Sequence, residues 1–285
     1  MLIAIYGSRR QAPYADTIQM LLRKLVLDGA DITMHPKLYD HLGKDLQMNL
    51  SGVACGNASA IPENTGLVLS IGGDGTFLRT AAWTGTSEVP ILGINTGNLG
   101  YLSALSMQQA LEVTDDIVAG NFAVEPRTLL QVVSPEVRGW PFALNEVVVA
   151  KDESASMVTV DASLSGKHLA DYKADGLIVS TPTGSTAYNL SAGGPIVEPT
   201  APVWILSPIA AHSLGMRPLV VSNANDIRLV VDGRSRHFRL AIDGRSTVLD
   251  IGSEVVLRKA EFHTVIVQSH GNEFPAPLGS KLFFN

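Results

Sequence analysis

The chain has one cysteine, Cys55, in 285 residues. A lone thiol cannot close an intramolecular disulfide or build a multi-cysteine metal site, so Cys55 reads as a small residue without a chemical task. Charge is scarce as well: Asp, Glu, Lys and Arg make up 17%, below the usual quarter. The net charge is −6 and no run of lysines or arginines occurs, which argues against a nucleic-acid or anionic-membrane partner. No stretch approaches the ~18 apolar residues of a membrane helix. The opening M-L-I-A-I-Y-G lacks a basic region and is too short for a signal peptide, so a cytoplasmic protein is expected. A P-loop is excluded because no G-x-x-x-x-G-K-[ST] is present, and G-x-G-x-x-G follows no predicted strand. The histidines show no H-E-x-x-H or similar metal spacing. His212 comes without the G-x-S-x-G of a hydrolase and reads as a loop residue.

What the chain does have is apolar material, 46% of its residues, enough for one large domain or two ordinary ones. Its first part alternates. Leu2 to Tyr6, Ile32 to Met34, Leu67 to Ile71 and Val89 to Ile94 read as strands. Tyr14 to Leu27, Thr76 to Trp83 and Met107 to Ala119 read as helices by the spacing of their apolar residues. Strand–helix alternation implies a mainly parallel, doubly wound, Rossmann-like α/β sheet, with ligands beyond the strands' carboxyl ends. Residues 41–64 read as a mobile loop with at most one short helix. Past Gly120 and Glu125-Pro126 the pattern becomes short β-rich runs. The first five are Leu129 to Val133, Ala143 to Ala150, Met157 to Leu164, Leu177 to Ser180 and Val203 to Leu206. Leu219 to Ser222, Ile227 to Val231, Phe238 to Ile242, Val255 to Arg258 and Thr264 to Gln268 complete the set. Turn dipeptides Ser165-Gly166, Asp232-Gly233 and Asp243-Gly244 punctuate them, and many strands without helices predict a β-sandwich. The expected division is 1–122 (α/β), 123–269 (β-rich) and a tail, 270–285, packing back on the first domain.

Two stretches carry chemistry. Ile71 to Thr80 reads I-G-G-D-G-T-F-L-R-T, a strand-to-helix turn with three glycines around one acid. Gly72, Gly73 and Gly75 lack a Cβ and let backbone approach a ligand, while amides at a helix start favour an anion such as phosphate. With Thr76 they form a candidate phosphate loop. Asp74 is an acid where an anion is expected, which points to a proton acceptor or a metal contact. The same dipeptides also make ordinary tight turns. The second stretch, Asp175 to Pro195, reads D-G-L-I-V-S-T-P-T-G-S-T-A-Y-N-L-S-A-G-G-P. Its hydroxyls beside Tyr188 suit a ribose and a base. The plain alternative is an ST-capped turn with Tyr188 in the core.

Together these stretches resemble the NAD kinases. The matching pieces are G-G-D-G-T-F-L-R (72–79), G-I-N-T-G-N-L-G-Y-L (93–102), L-N-E-V-V-V (144–149), the 175–196 segment and the Asp243-Gly244 turn. The first is shared with lipid kinases and more loosely with phosphofructokinases, whereas the long 175–196 piece is specific. The resemblance implies Mg²⁺-dependent transfer of the ATP γ-phosphoryl group to the 2′-hydroxyl of the adenosine ribose of NAD, giving NADP.

By that resemblance Asp74 is the proton acceptor and sits with Gly75 against the substrate, and Arg79 is the nearest fixed cation. Asn145 and Glu146 contact NAD, and Asp175 the nicotinamide end. Thr186, Ala187, Tyr188, Asn189, Leu190 and Ser191 line the adenine and ribose pockets. Lys173 stands where the family often has arginine, keeping a cation but losing the fork. Ala210 and Arg245 match weaker site positions, and the Asp243-Gly244 turn alone need be no more than a hairpin. The metal ligands are not legible. The family's usual homodimer or homotetramer, with residues borrowed from a neighbouring subunit, is expected. Two other functions fit the first stretch alone: a kinase of a lipid or sugar phosphate, and a non-catalytic dinucleotide sensor.

Overall fold

The computed structural model describes residues 1–8, 11–97, 100–103, 105–152, 156–213, 215–268 and 274. It divides into two compact units, one of residues 1–126 joined by the chain from Thr264 onward, the other of Arg127–His263. The expected tail, 270–285, lies outside the described residues apart from Phe274.

The first unit is built on β1 (Leu2–Gly7), β2 (Asp31–Met34), β3 (Val53–Cys55), β4 (Thr65–Ile71) and β5 (Ile91–Asn95). These lie parallel in the order β3-β2-β1-β4-β5. Helices α1 (Ala15–Leu27), α2 (Pro36–Asp40), α3 (Asp74–Thr84), α4 (Met107–Glu112) and α5 (Thr114–Ala119) accompany them, with β6 (Leu105–Ser106) beside β5. Side chains of a strand alternate between faces. Ile3, Ile5, Leu67, Leu69 and Ile71 therefore pack with Ile18, Leu21 and Leu25 of α1 and Met107 and Ala110 of α4. Ala4, Val68 and Ser70 are buried on the other face, where Thr80 of α3 donates to the Ser70 hydroxyl at 2.9 Å. Sequence order reverses between β1 and β4, which places a topological switch point beyond their carboxyl ends.

Three local readings change. Helix α3 begins at Asp74, two residues earlier than apolar periodicity indicates, because Gly73 takes the extended N-cap conformation. Residues 41–64 hold a π-helical turn, His41–Asp45, and β3, which pairs with β2. Their polar composition hides one buried anchor each, Leu42 and Val53. The predicted helix over 107–119 is two, separated at Val113. Ser106 and Gln109 form a capping box at the start of α4, a local signal that apolar spacing does not weigh.

The second unit is a sandwich. One sheet runs in the order β14 (Leu219–Ser222), β13 (Val203–Ile209), β12 (Gly176–Ser180), β9 (Glu146–Lys151), β16 (His237–Ile242) and β17 (Arg245–Asp250). The other holds β11 (Lys167–Ala174), β10 (Val158–Leu164), β15 (Ile227–Gly233) and the first part of β18 (Glu254–Gln268). Val147, Val149, Leu177, Val179, Trp204 and Leu240 from the first meet Val158, Val160, Leu229, Val231 and Leu257 from the second. Strand β7 (Ala123–Ser134), paired with the short β8 (Phe142–Ala143), adds Leu130 and Val132. The last two predicted strands are one, β18, whose Ile266 pairs in parallel with Ile91 of the first unit's sheet. Periodicity misses β11 and β17 because both are polar edge strands, largely exposed. Ser165-Gly166 and Asp243-Gly244 are two-residue hairpin turns with φ of 47° and 78°, and 46° and 76°, as a right-handed strand twist requires. Asp232-Gly233, by contrast, lies within β15.

Candidate active site

In the first unit the carboxyl ends of β1, β4 and β5 surround an open recess of about 510 Å³. Gly73, Gly75, Thr76 and Arg79 line it from the glycine turn and α3, and Asn95, Thr96 and Gly97 from the end of β5. Gly72 has φ 154°, and a Cβ there would lie 2.4 Å from the Thr76 hydroxyl, so the turn closes only on glycine. Gln11, buried, donates to the Ile71 carbonyl at 2.8 Å and braces the last residue of β4. The amides at the start of an 11-residue helix favour an anion, and Arg79, exposed and 3.3 Å from the Thr76 hydroxyl, adds a fixed cation.

Asp74 is the first residue of that helix, half-buried. Its two oxygens are held separately: Tyr101 N–H donates to Oδ2 at 2.9 Å and Leu102 N–H to Oδ1 at 3.1 Å. Two consecutive backbone amides from beyond β5 therefore fix the acid. A carboxylate offers about four lone-pair positions, so two remain after these bonds. Nothing in the local composition marks Tyr101 and Leu102 as its anchors, because the contact is made by backbone.

In the second unit three segments meet at Leu144–Glu146. The Asp243 carboxylate accepts from the amides of Leu144, Asn145 and Glu146 at 2.8, 2.9 and 3.2 Å. The hairpin turn is thus more than a turn: it holds the chain where the predicted 143–150 strand breaks into β8 and β9. On the other side Thr181 N–H donates to the Asn145 carbonyl at 2.9 Å, and the Thr181 hydroxyl donates to Leu144 at 2.6 Å while accepting from Gly184 at 3.0 Å. The ST-cap of the plain reading is present; the core tyrosine is not, since Tyr188 is 45% exposed. Gly184 packs directly on Asn145, whose carbonyl would lie 2.1 Å from a Cβ at 184.

Glu146 is 9% exposed and its Oε2 has no hydrogen-bond partner among the described residues. Burial, then the neighbouring Asp243, pushes its carboxyl up to about 7, against the pull of the Tyr188 amide. Burial also raises Asp243, opposed by its three amides and Arg245. A buried acceptor without a partner is costly unless a ligand donates to it.

The remaining expected residues fall into place unevenly. Thr186, Ala187 and Leu190 are half-buried, and Ser191 is exposed like Tyr188. Asn189 is fully buried, its amide donating to the Ser185 and Pro195 carbonyls, each at 3.0 Å, and accepting from Ser207 at 2.6 Å. It holds the turn and presents no surface. Arg245 gives its guanidinium to the carbonyls of Ile242, Trp140 and Phe142 at 3.1, 2.6 and 2.8 Å. Lys173 is exposed, and the cation on Asp175 is Lys151, at 2.8 Å. That pairing crosses from β9 and has no signal in sequence spacing. Ala210 follows β13 in the left-handed region, φ 47°, a conformation that costs a non-glycine residue roughly 1 kcal/mol. Asp175 and Ala210 belong to the end of β12 opposite Glu146, which pairs with Ser180. Five residues of strand put the two groups roughly 16 Å apart.

Two family models match most of the chain. The ATP-NAD kinase N-terminal domain matches residues 3–122, and the ATP-NAD kinase C-terminal domain residues 144–269. The chain belongs to the ATP-NAD kinase family. It is 40% identical over 282 residues to the NAD kinase of Porphyromonas gingivalis, covering 99% of this chain and 97% of that one. The NAD kinase of Bacteroides fragilis is 36% identical over 286 residues, at 100% and 98% coverage. An NAD kinase from Archaeoglobus fulgidus in complex with ATP superposes with a TM-score of 0.71 at 26% identity, over 95% of each chain. A yeast NADH kinase complexed with NADH shares the fold at a TM-score of 0.84 and 24% identity, over 100% of this chain and 88% of that one. Membership makes the chain a phosphotransferase that phosphorylates NAD to NADP with ATP. Among the described residues no helix is long and apolar enough to cross a membrane.

Proposed function

We propose that the acceptor is the 2′-hydroxyl of the adenosine ribose and that Asp74 receives its proton. The observation that carries the reading is the Asp74 carboxylate, held by two backbone amides with its flanking glycines lining the recess. Phosphoryl transfer needs positioning and charge stabilisation more than covalent chemistry. The recess supplies both to a triphosphate: amides at the start of α3, the Thr76 hydroxyl and the Arg79 guanidinium. Asp74 keeps two lone-pair positions for the incoming hydroxyl.

The family's divalent cation fits this donor set. Mg²⁺ prefers oxygen, keeps several waters and binds through one or two carboxylates plus substrate phosphates. Here Asp74 is the carboxylate that would hold it. When bound it neutralises charge on the phosphates. Among the described residues the one cluster of metal-ligating side chains, Asp161, His168 and Asp171, is on the β10–β11 hairpin of the second unit, and none of the three lines the recess.

NAD is held by the second unit. The Glu146 oxygen that has no hydrogen-bond partner among the described residues takes a ribose hydroxyl, with Asn145 beside it, while Thr186, Ala187, Tyr188, Leu190 and Ser191 supply the contact surface and Asn189 fixes their turn. Asp175 and Ala210 serve the dinucleotide of a neighbouring copy, with Lys173 on the adjoining β11; the distance of Asp175 and Ala210 from Glu146 along β12 supports this. A homodimer or homotetramer follows, and exposed Leu219, Val220 and Val248 on the edge strands β14 and β17 support one.

The test is purified protein with NAD, ATP and Mg²⁺, reading NADP. A product phosphorylated at the adenosine 2′-hydroxyl supports the acceptor, and unchanged turnover in Asp74→Asn removes Asp74 from its role.

A further inference from the structure

We propose that Gly100 is a positioning residue for the reaction, acting through Asp74. This rests on the reading that Asp74 is the proton acceptor. A Cβ at 100 would lie 1.9 Å from Asp74 Oδ1, 2.4 Å from Cγ and 2.7 Å from Oδ2. No real Cβ approaches heavy atoms so closely, so one side must move. The constraint the geometry shows is steric: the three atoms a Cβ at 100 would meet first all belong to the Asp74 carboxylate.

The side that moves is the carboxylate. Gly100 immediately precedes the two residues whose amides hold it, Tyr101 and Leu102. A methyl group therefore intrudes on the face through which the acid reaches its anchors. Displaced by an ångström or more, Asp74 loses one or both N–H bonds and its aim. Asn95, Thr96 and Gly97, earlier in the same stretch, line the recess with Gly73 and Gly75. One stretch of backbone thus sets the wall of the anion recess and the aim of the acid, and glycine at 100 lets the two fit together. An enzyme whose chemistry is largely alignment loses rate from such a displacement without losing substrate contacts.

The test is a double-mutant cycle of Gly100→Ala and Asp74→Ala, read by urea unfolding and by steady-state kinetics with NAD, ATP and Mg²⁺. In the wild-type background, Gly100→Ala should lower kcat by about 10²-fold while the KM for NAD stays within about threefold, and it should lower the unfolding midpoint. In the Asp74→Ala background, where the carboxylate is gone, the same substitution should change neither the midpoint nor the residual rate. If Gly100→Ala does not fold, the double variant should, because its clash has been removed. Wild-type kcat in Gly100→Ala overturns the proposal. So does an equal stability penalty in both backgrounds, or a double variant that also fails to fold. If the wild-type protein turns over no NAD, the kinase reading fails by itself, and the unfolding arm still decides whether Gly100 acts through Asp74.

Discussion

Glu146 is the residue through which protons should reach both stability and binding. Its carboxyl has an ordinary value of 4.5 and stands at about 7 in the folded chain. The folded value lies above the unfolded one, so the neutral acid is the form the fold prefers. Below about pH 4.5 both states carry the proton and the group costs nothing. As pH climbs toward 7 the unfolded chain ionises first, and the folded state loses stability until its own carboxyl ionises. At about 1.36 kcal/mol per pH unit, the rise from 4.5 to about 7 amounts to about 3 kcal/mol. With Glu146 only 9% exposed, solvent screens little of it. The perturbation is Glu146→Gln, which keeps the shape and cannot ionise. Urea unfolding of both proteins from about pH 4.5 to about pH 8 gives a difference from which titrating groups that do not interact with Glu146 cancel. The variant should gain about 3 kcal/mol relative to wild type across that window, levelling off above about pH 7. Saturating NAD should shrink the gain, since a ribose hydroxyl donating to Oε2 favours the charged form. A difference flat to within about 0.5 kcal/mol would refute the reasoning.

Asp74→Asn should lower turnover by about 10²–10⁴-fold. It should also destabilise the protein by about 1–3 kcal/mol, since the asparagine NH₂ must face the Tyr101 or the Leu102 amide and leave that donor unmet; calorimetry and single-turnover kinetics separate the two losses. Asp243→Asn leaves one acceptor oxygen for three amides, so unfolding free energy should fall by about 2–4 kcal/mol and NAD affinity should fall with it in titration calorimetry. Mixing inactive Glu146→Ala and Asp175→Ala chains, unfolded together and refolded, should restore part of the activity if Asp175 serves a neighbour's dinucleotide; activity no higher than that of the separate variants would count against shared sites.

The sequence by itself determined the architecture of both units and the residue types of the site. Strand–helix alternation up to Ile94 and turn-punctuated β-runs after Glu125 are consequences of side-chain periodicity, which local sequence carries wherever an element has an apolar face and loses at polar edge strands such as β11 and β17. The glycines around Asp74 and the small-residue segment from Asp175 to Pro195 were equally legible, because a close backbone approach needs glycine whatever surrounds it. The third dimension decided what each group does. That Asp74 is gripped by Tyr101 and Leu102, that Asp243 pins Leu144 to Glu146, and that Asn189 is spent inside its own turn all depend on hydrogen bonds between segments remote in the chain. Residue 243 lies 97 to 99 positions from the amides it holds, and no spacing rule spans that. The loss of a carboxylate's water is a property of its packed surroundings, so the state of Glu146 could be set only once the sheet had closed over it.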